Sequence, residues 1–382
     1  MKKKKKILSK IISGISSSKF ALYLVIALII LSIAGVLIPQ QSEYTLKEIE
    51  KWSSANPLLS SIIRPLGFFH VFHSIFFLIV IVLFVINILS CTIVHFINEG
   101  GLRSLTGKAG IKKTGFFLLH IGLIGILAGG FISTGFSLDG KIVLTEGQVF
   151  LERHDQYLRI VEGPLRKEIH KEFSTRLKDV KITYEKKFFP VDIITVLDFI
   201  DKENRALDIP VQINKPYTFR GFSFTLDEMG FSPRIVIRDD SKKKYMLNSF
   251  IALKTFRHGV EWEYKDFLPL PFLKNRVTLT LYPDHKLLNG KVVKTSEVVS
   301  KPVIKFEIED GSGKIISTGI IPFKGSSKVG DHIFTFADLR HWASFRVVED
   351  PGYLLFGISV WLSILSLLFR YSGELFSLFK KG

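Results

Sequence analysis

Cysteine is almost missing from this 382-residue sequence, where Cys91 stands alone. A single thiol excludes a disulfide-stapled scaffold, a cysteine-based zinc or iron–sulfur centre, and a CxxC redox site. If the protein serves an oxidising compartment, another chain must carry the thiol chemistry. Catalytic signatures are missing too. There is no Walker A loop, GxSxG elbow, HExxH pair or GxGxxG following a strand. His154, His170, His258, His285 and His332 show no metal-ligand spacing and read as surface histidines. The sequence does not describe a stand-alone hydrolase or dehydrogenase.

What is abundant is apolar. Hydrophobic residues make up 47% of the chain and 34 residues are Phe, yet 23% is charged, so the apolar excess must be segregated into segments. A bilayer core about 30 Å thick is crossed by roughly 20 apolar residues at about 1.5 Å rise each. Four stretches qualify: 20–39, 74–94, 114–136 and 353–369. The first carries no charge and ends without an A-x-A cleavage site, so it reads as a retained anchor rather than a signal peptide. The expected fold is a membrane protein of four transmembrane α-helices, with a large extracytoplasmic, mainly-β, sandwich-like domain between the third and fourth.

Charge sets the expected orientation. Residues 1–19 carry seven lysines and no acid; 92–113 carry a net +3 and the tail 370–382 a net +2, of +17 in all. The loop 40–73 is neutral. By the positive-inside rule the segments 1–19, 95–113 and 370–382 are cytoplasmic, while 40–73 and 137–350 lie outside the cytoplasmic (inner) membrane. The lysine run at residues 2–6 precedes a span directly, so topology and anionic lipid explain it, not nucleic acid. In 137–350, short β-branched runs such as 141–145, 157–161, 191–196, 234–238, 277–282 and 303–308 alternate in period two between Gly, Pro and Asp-Gly turns. Helical periodicity is scarce there.

Histidines at membrane depth are expensive and mark candidate functional positions. His70 and His73 sit at the outer end of the second span, His95 at its cytoplasmic end, and His120 six residues into the third. Imidazole is a common axial ligand of haem iron. Residue type and spacing leave His73 and His120 open between that role and an interhelical hydrogen bond. His70 and His95 read as interfacial residues. His341, beside Trp342, reads as a solvent-facing loop histidine near the outer membrane surface.

Several motifs, in order along the chain, resemble the ResB/CcsB family of System II cytochrome c biogenesis (haem attachment). Leu37-Ile38-Pro39-Gln40 is similar to the end of the family's first helix. Leu66-Gly67-Phe68-Phe69-His70-Val71-Phe72-His73-Ser74 is similar to its "LGLxDVYHSxxF" approach to the second, with His70 in place of the family's Asp. Leu118-Leu119-His120-Ile121-Gly122 with Gly129-Gly130 resembles the third helix. Asn214-Lys215-Pro216 with Phe219-Arg220-Gly221-Phe222-Ser223-Phe224 resembles an "N-x-P…Y-x-G-Y-x-F" strand pair, and Asp350-Pro351-Gly352 the return to the membrane.

The resemblance implies a subunit that helps carry haem b across the membrane and present it to the CxxCH thiols of apocytochrome c. It implies a ResC/CcsA-type partner with a tryptophan-rich WWD segment. This chain has only isolated tryptophans (Trp52, Trp262, Trp342, Trp361) and ends after the fourth span, so that partner is expected as a separate polypeptide. A thioredoxin-like thiol reductant acts in the same pathway. His73 is the implied axial ligand, His120 the second candidate and His341 a third. The implied enzyme status is that of a non-catalytic or co-catalytic subunit of a haem lyase complex. The alternatives are a membrane-anchored binding or scaffold protein without a haem ligand of its own, and a transporter unrelated to cytochrome c. Four spans without inverted repeats weigh against the last.

Overall fold

The computed structural model describes residues 14–40, 46–98, 101, 108–166, 170–202, 204–258, 261–268, 270 and 276–371. Most of the lysine-rich start, the segment 102–107 and the tail 372–382, on which much of the charge argument rests, lie outside the described residues. The chain divides into two compact units, one from Met1–Ser133 with Gly352–Gly382, the other Thr134–Pro351.

The first unit is helical. Helix α1 (Ser18–Leu37) is N-capped by Ser17, whose hydroxyl accepts from the Phe20 N–H at 3.2 Å. It stops because Ile38 precedes Pro39, whose ring disfavours a helical residue before it; Ile38 is extended, with φ −92° and ψ 131°. The neutral segment that follows is not a plain loop. It folds into α2 (Leu46–Ala55), α3 (Pro57–Ile63) and a 3-10 turn, Phe68–His73. Pro57 suits the first position of α3, where no intrahelical N–H is needed. Ile49, Ile63, Phe69 and Val71 bury together with Ile38, and Trp52 packs beside them, so these short elements share a core with the end of α1.

Helices α4 (Ile75–Asn98), α5 (Lys108–Phe136) and α6 (Tyr353–Arg370) complete this unit. Four helices, α1, α4, α5 over Gly110–Phe136, and α6, are long and apolar enough to cross a membrane. This is a membrane protein. Asn87, the polar residue of α4, is buried and donates to the carbonyls of Ile15 and of Ser17, at 3.3 Å for the latter, so α4 is tied to the start of α1.

The glycines of α5 have a packing purpose. A Cβ on Gly129 would sit 2.7 Å from the Phe356 backbone nitrogen, and one on Gly115 2.7 Å from that of Arg370. Cβ atoms on Gly122 and Gly125 would collide with the hydroxyls of Ser363 and Ser359. So α5 and α6 run antiparallel with a seam of glycine against buried serine. In hydrocarbon, where apolar burial cannot drive association, small residues let backbones approach and gain dispersion contacts. The serine hydroxyls stay satisfied within α6: Ser363 donates to the Ser359 carbonyl at 2.8 Å and Ser366 to that of Ser363 at 2.6 Å.

The second unit is a β domain of eighteen strands among the described residues, without an α-helix of its own beyond the last turn of α5. Its strands run longer than the sequence suggests. Phe222–Asp239 and His332–Glu349 are eighteen residues each and pair antiparallel from Phe222↔Glu349 to His332↔Asp239. The first strand, Leu138–Thr145, pairs against the last, Leu138 opposite Glu349, so the domain's chain arrives and departs side by side.

That long ribbon serves two hydrophobic cores. Phe222, Phe224, Leu226, Phe345 and Val347 enter one, with a four-stranded sheet built around Ser174–Glu185 and Phe189–Ile200. Phe231, Ile235, Ile237, Phe334 and Phe336 enter the other, with a five-stranded sheet centred on Arg276–Tyr282. Buried hydrophobic side chains are even-numbered up to Leu226 and odd-numbered from Met229. A bulge explains the change: Leu226 pairs with Phe345 and Glu228 with Ser344, leaving Asp227 as the extra residue. One added residue keeps the apolar set on one face while its numbering parity flips.

Candidate functional site

Two polar stations stand in the helical unit, at opposite ends of α4. One is the turn that leads into the helix. Gly67 has φ +70°, a left-handed conformation that suits glycine, and it reverses the chain out of the α3 region. Gln40 then grips the turn from the end of α1. Its Oε1 accepts from the Val71 N–H at 3.0 Å, while Nε2 donates to the carbonyls of Ile38 at 2.8 Å and Phe68 at 3.3 Å. Ser74 closes the turn: its hydroxyl donates to the Val71 carbonyl at 2.7 Å and accepts from the Phe77 N–H at 3.2 Å, capping α4.

His73 lies between these anchors. Its backbone belongs to the 3-10 turn, immediately before the cap of α4; its side chain lies outside the described residues. His70, three residues earlier, is exposed, with non-helical φ −135° and ψ 53°. Phe72 packs its ring over Gly35 of α1, where a Cβ would lie 2.6 Å from it. Two motifs thirty-one residues apart, one ending in Gln40 and the other around Val71, thus form a single structural unit.

The second station is at the far end. His95 follows His73 by twenty-two residues, about 33 Å along a helix at 1.5 Å per residue. Its ring centroid lies 4.4 Å from that of Phe116 on α5, which in turn lies 4.0 Å from the ring of His120. The Arg370 guanidinium, at the end of α6, sits over the same Phe116 ring at 5.6 Å. Three helices therefore converge on one phenylalanine with two imidazoles and a guanidinium.

His120 is half-buried, and its Nδ1 lies 2.9 Å from the Phe116 carbonyl. A carbonyl only accepts, so Nδ1 carries a proton, which in the neutral ring leaves the lone pair on Nε2. That tautomer suits axial ligation. In the sequence His95 reads as an interfacial residue, because nothing local links it to His120; the helix pairing supplies the link. Arg370 likewise reads in the sequence only as a topology charge.

His341 departs from its sequence expectation. It is not in a loop but in the middle of the strand His332–Glu349, about 26 Å along the strand from Glu349, where the domain's chain leaves. Its ring packs on Phe231 with centroids 4.9 Å apart, and its Nδ1 is 3.6 Å from Glu146 Oε1. Glu146 Oε2 accepts the His341 N–H at 3.0 Å. Burial works against the Glu146 charge, but the His341 hydrogen bonds and the Val180 N–H outweigh it and hold the carboxyl below its ordinary range. His341 is a strand residue with structural partners. Cys91 is partly buried in α4.

His170 is also not the surface residue its sequence context suggests. Its side chain is 10% exposed and approaches His154 and Glu162. His285 is a conventional surface residue, its Nδ1 2.8 Å from the Lys301 carbonyl; the side chain of His258 lies outside the described residues.

No curated protein matches the chain closely enough to stand beside it. The model of the ResB-like family matches residues 18–99 and 98–328, from the start of α1 through most of the β domain. With the Gln40-clamped turn, the four apolar helices and the single β insertion in place, the chain belongs to the ResB-like family and has a role in cytochrome c biogenesis.

Proposed function

We propose that this chain is the haem-handling membrane subunit of a System II cytochrome c synthetase complex. In this reading it helps carry haem b from the cytoplasmic side to the outer surface, where the haem is joined to the CxxCH thiols of apocytochrome c. Both termini are cytoplasmic and the β domain is outside, as the distribution of Lys and Arg favours. A ResC/CcsA-type membrane protein supplies the second axial imidazole and the attachment chemistry. A thioredoxin-like protein keeps the apocytochrome thiols reduced, a task that Cys91, within a span, is not placed to perform.

The observation that carries this reading is the architecture around His73. Gln40, Ser74 and the Phe72–Gly35 contact fix the backbone at the end of an apolar helix. A ligand for a cargo that must be held and then released needs such pre-organisation, because each ångström of slack weakens the bond it makes. Bis-imidazole ligation fills both axial positions and discourages oxygen chemistry on the iron in transit.

The His95–Phe116–His120–Arg370 cluster fits an acceptance station at the cytoplasmic end. The Nε2 lone pair of His120 is suited to iron, the aromatic ring to a macrocycle face, and the Arg370 guanidinium to a propionate.

The test is the visible spectrum of the chain co-purified with a WWD-type partner, for the wild type and His73→Gly. The expected result is loss of the low-spin haem bands in the variant and their return with added imidazole. An unchanged spectrum removes His73 from the mechanism, and an intact but haem-free wild-type complex from haem-replete cells favours a scaffold.

A further inference from the structure

The β domain contains a second constellation, independent of the haem reading. His154 lies in a short 3-10 turn, Glu162 ends the strand Arg159–Glu162, and His170 stands just before the strand Ser174–Glu185. They are spaced eight residues apart in each step but come from different elements, and the fold brings one ligand atom of each within 4.8 Å of the others.

The orientation of His170 is the informative part. Its Nδ1 is 2.6 Å from Glu152 Oε1. Glu152 is fully buried and saturated: it also takes the Tyr157 hydroxyl at 3.2 Å and the backbone N–H groups of Lys171 at 2.5 Å and Glu172 at 3.3 Å. A carboxylate fixed by that many donors cannot turn away, so it holds the His170 ring in place with the proton on Nδ1. The His170 Nε2 is buried, makes no hydrogen bond, and faces Glu162 Oε1 at 3.6 Å. A carboxylate behind one imidazole nitrogen and, in the neutral ring, an unused lone pair on the other is the arrangement metal-ligating histidines adopt.

On the opposite side, His154 Nδ1 is 2.9 Å from Glu162 Oε2, and the His154 side chain is 52% exposed, giving an ion a route from solvent. Charge agrees. Among the described residues, the carboxylates of Glu152, Glu162 and Glu349 meet the cations of Arg166 and Lys171, which leaves one negative charge within this set when both imidazoles are neutral. Arg166 bridges Glu162 and Glu349 at 3.3 and 2.7 Å and so orients the ligand carboxylate.

We propose that His154, Glu162 and His170 form a binding site for one first-row divalent cation of the zinc class. Two imidazoles and a carboxylate are the donor set that borderline cations accept, and three protein ligands leave a fourth position to water. Binding exchanges the His154–Glu162 hydrogen bond for two bonds to the ion. It also ties the 3-10 turn that carries His154 to Glu162 and His170.

The experiment uses the full chain in detergent, stripped with a chelator and titrated with Co²⁺, then Zn²⁺. The expected result is one Co²⁺ per chain with visible ligand-field bands of a low-coordinate site, erased by Zn²⁺, and a raised thermal transition with either ion. His154→Gln, at the exposed ligand, and His170→Gln are each expected to weaken binding at least tenfold. Glu152→Gln, which leaves all three ligands in place and changes the carboxylate behind His170, falls in the range of about 10–100-fold. Absence of Co²⁺ bands in folded wild-type protein would make the cluster an ion-pair network and overturn the proposal. Stoichiometric binding that survives the His154→Gln/His170→Gln double change would overturn it as well. The haem spectrum with a WWD-type partner is unaffected by these variants, so failure here leaves the haem reading standing.

Discussion

Gln40 and Val71 are joined by a buried hydrogen bond of 3.0 Å, from the Val71 N–H to the Gln40 amide oxygen. This bond couples the end of α1 to the turn that carries His73. Gln40 also donates through its amide nitrogen to Ile38 and Phe68, so one side chain satisfies three backbone groups where the chain reverses.

Gln40→Ala leaves those backbone groups without partners, at a cost of about 1–3 kcal/mol. The expected outcome is a lower thermal transition for the detergent-solubilised chain. With the partner present, haem bands weaken as in His73→Gly, but added imidazole does not restore them, because the turn itself is displaced. Full restoration by imidazole would show that Gln40 does not position the turn.

Neighbouring glycines of α5 are expected to behave oppositely. A Cβ at Gly129 meets the Phe356 backbone, whereas one at Gly130 meets nothing within 4 Å. Gly129→Ala should destabilise by about 1–3 kcal/mol through overpacking, while Gly130→Ala should be neutral or stabilising by helix propensity. Protease resistance of the two variants in detergent reads the difference. Equal effects would argue against the α5–α6 seam.

Glu146 makes a pH-dependent contribution. Its carboxyl is held below the ordinary range in the folded protein, so its stabilisation is present above the unfolded value and lost as pH falls through the folded one. Glu146→Gln should therefore cost about 1–2 kcal/mol at neutral pH. The gap from wild type should close at pH values below the ordinary glutamate pKa of about 4.3. Thermal melts across that interval check it; a gap independent of pH would assign the loss to packing.

His120→Ala tests the proposed acceptance station around Phe116. In the proposed reading, haem recovered with the complex and the yield of c-type cytochrome both fall severalfold, and Arg370→Gln gives a smaller loss of the same kind. Unchanged haem content with a lowered melting temperature would make His120 a packing residue only.

The four spans were legible because hydropathy is local: about 20 apolar residues in a row have few alternatives to a bilayer or a core. Strand content was legible for the same reason, from period-two alternation in runs such as 277–282. The length of Phe222–Asp239 was not, because the bulge at Asp227 breaks the alternation that marks a strand. The segment 40–73 concealed α2 and α3, whose stability comes from packing Ile49 and Ile63 beside Ile38 rather than from propensity.

By itself the sequence determined that this is a membrane protein with one large β insertion, and its ordered motifs pointed to the family. Those properties depend on composition within short windows. Only the tertiary structure decided which distant residues meet: Gln40 with Val71, His95 with His120 across Phe116, and His154 with Glu162 and His170. It also moved His341 from an expected loop into the middle of a strand. Polar side chains carry no periodic signal when they come from turns and different elements, so their convergence is set by packing of the apolar residues around them.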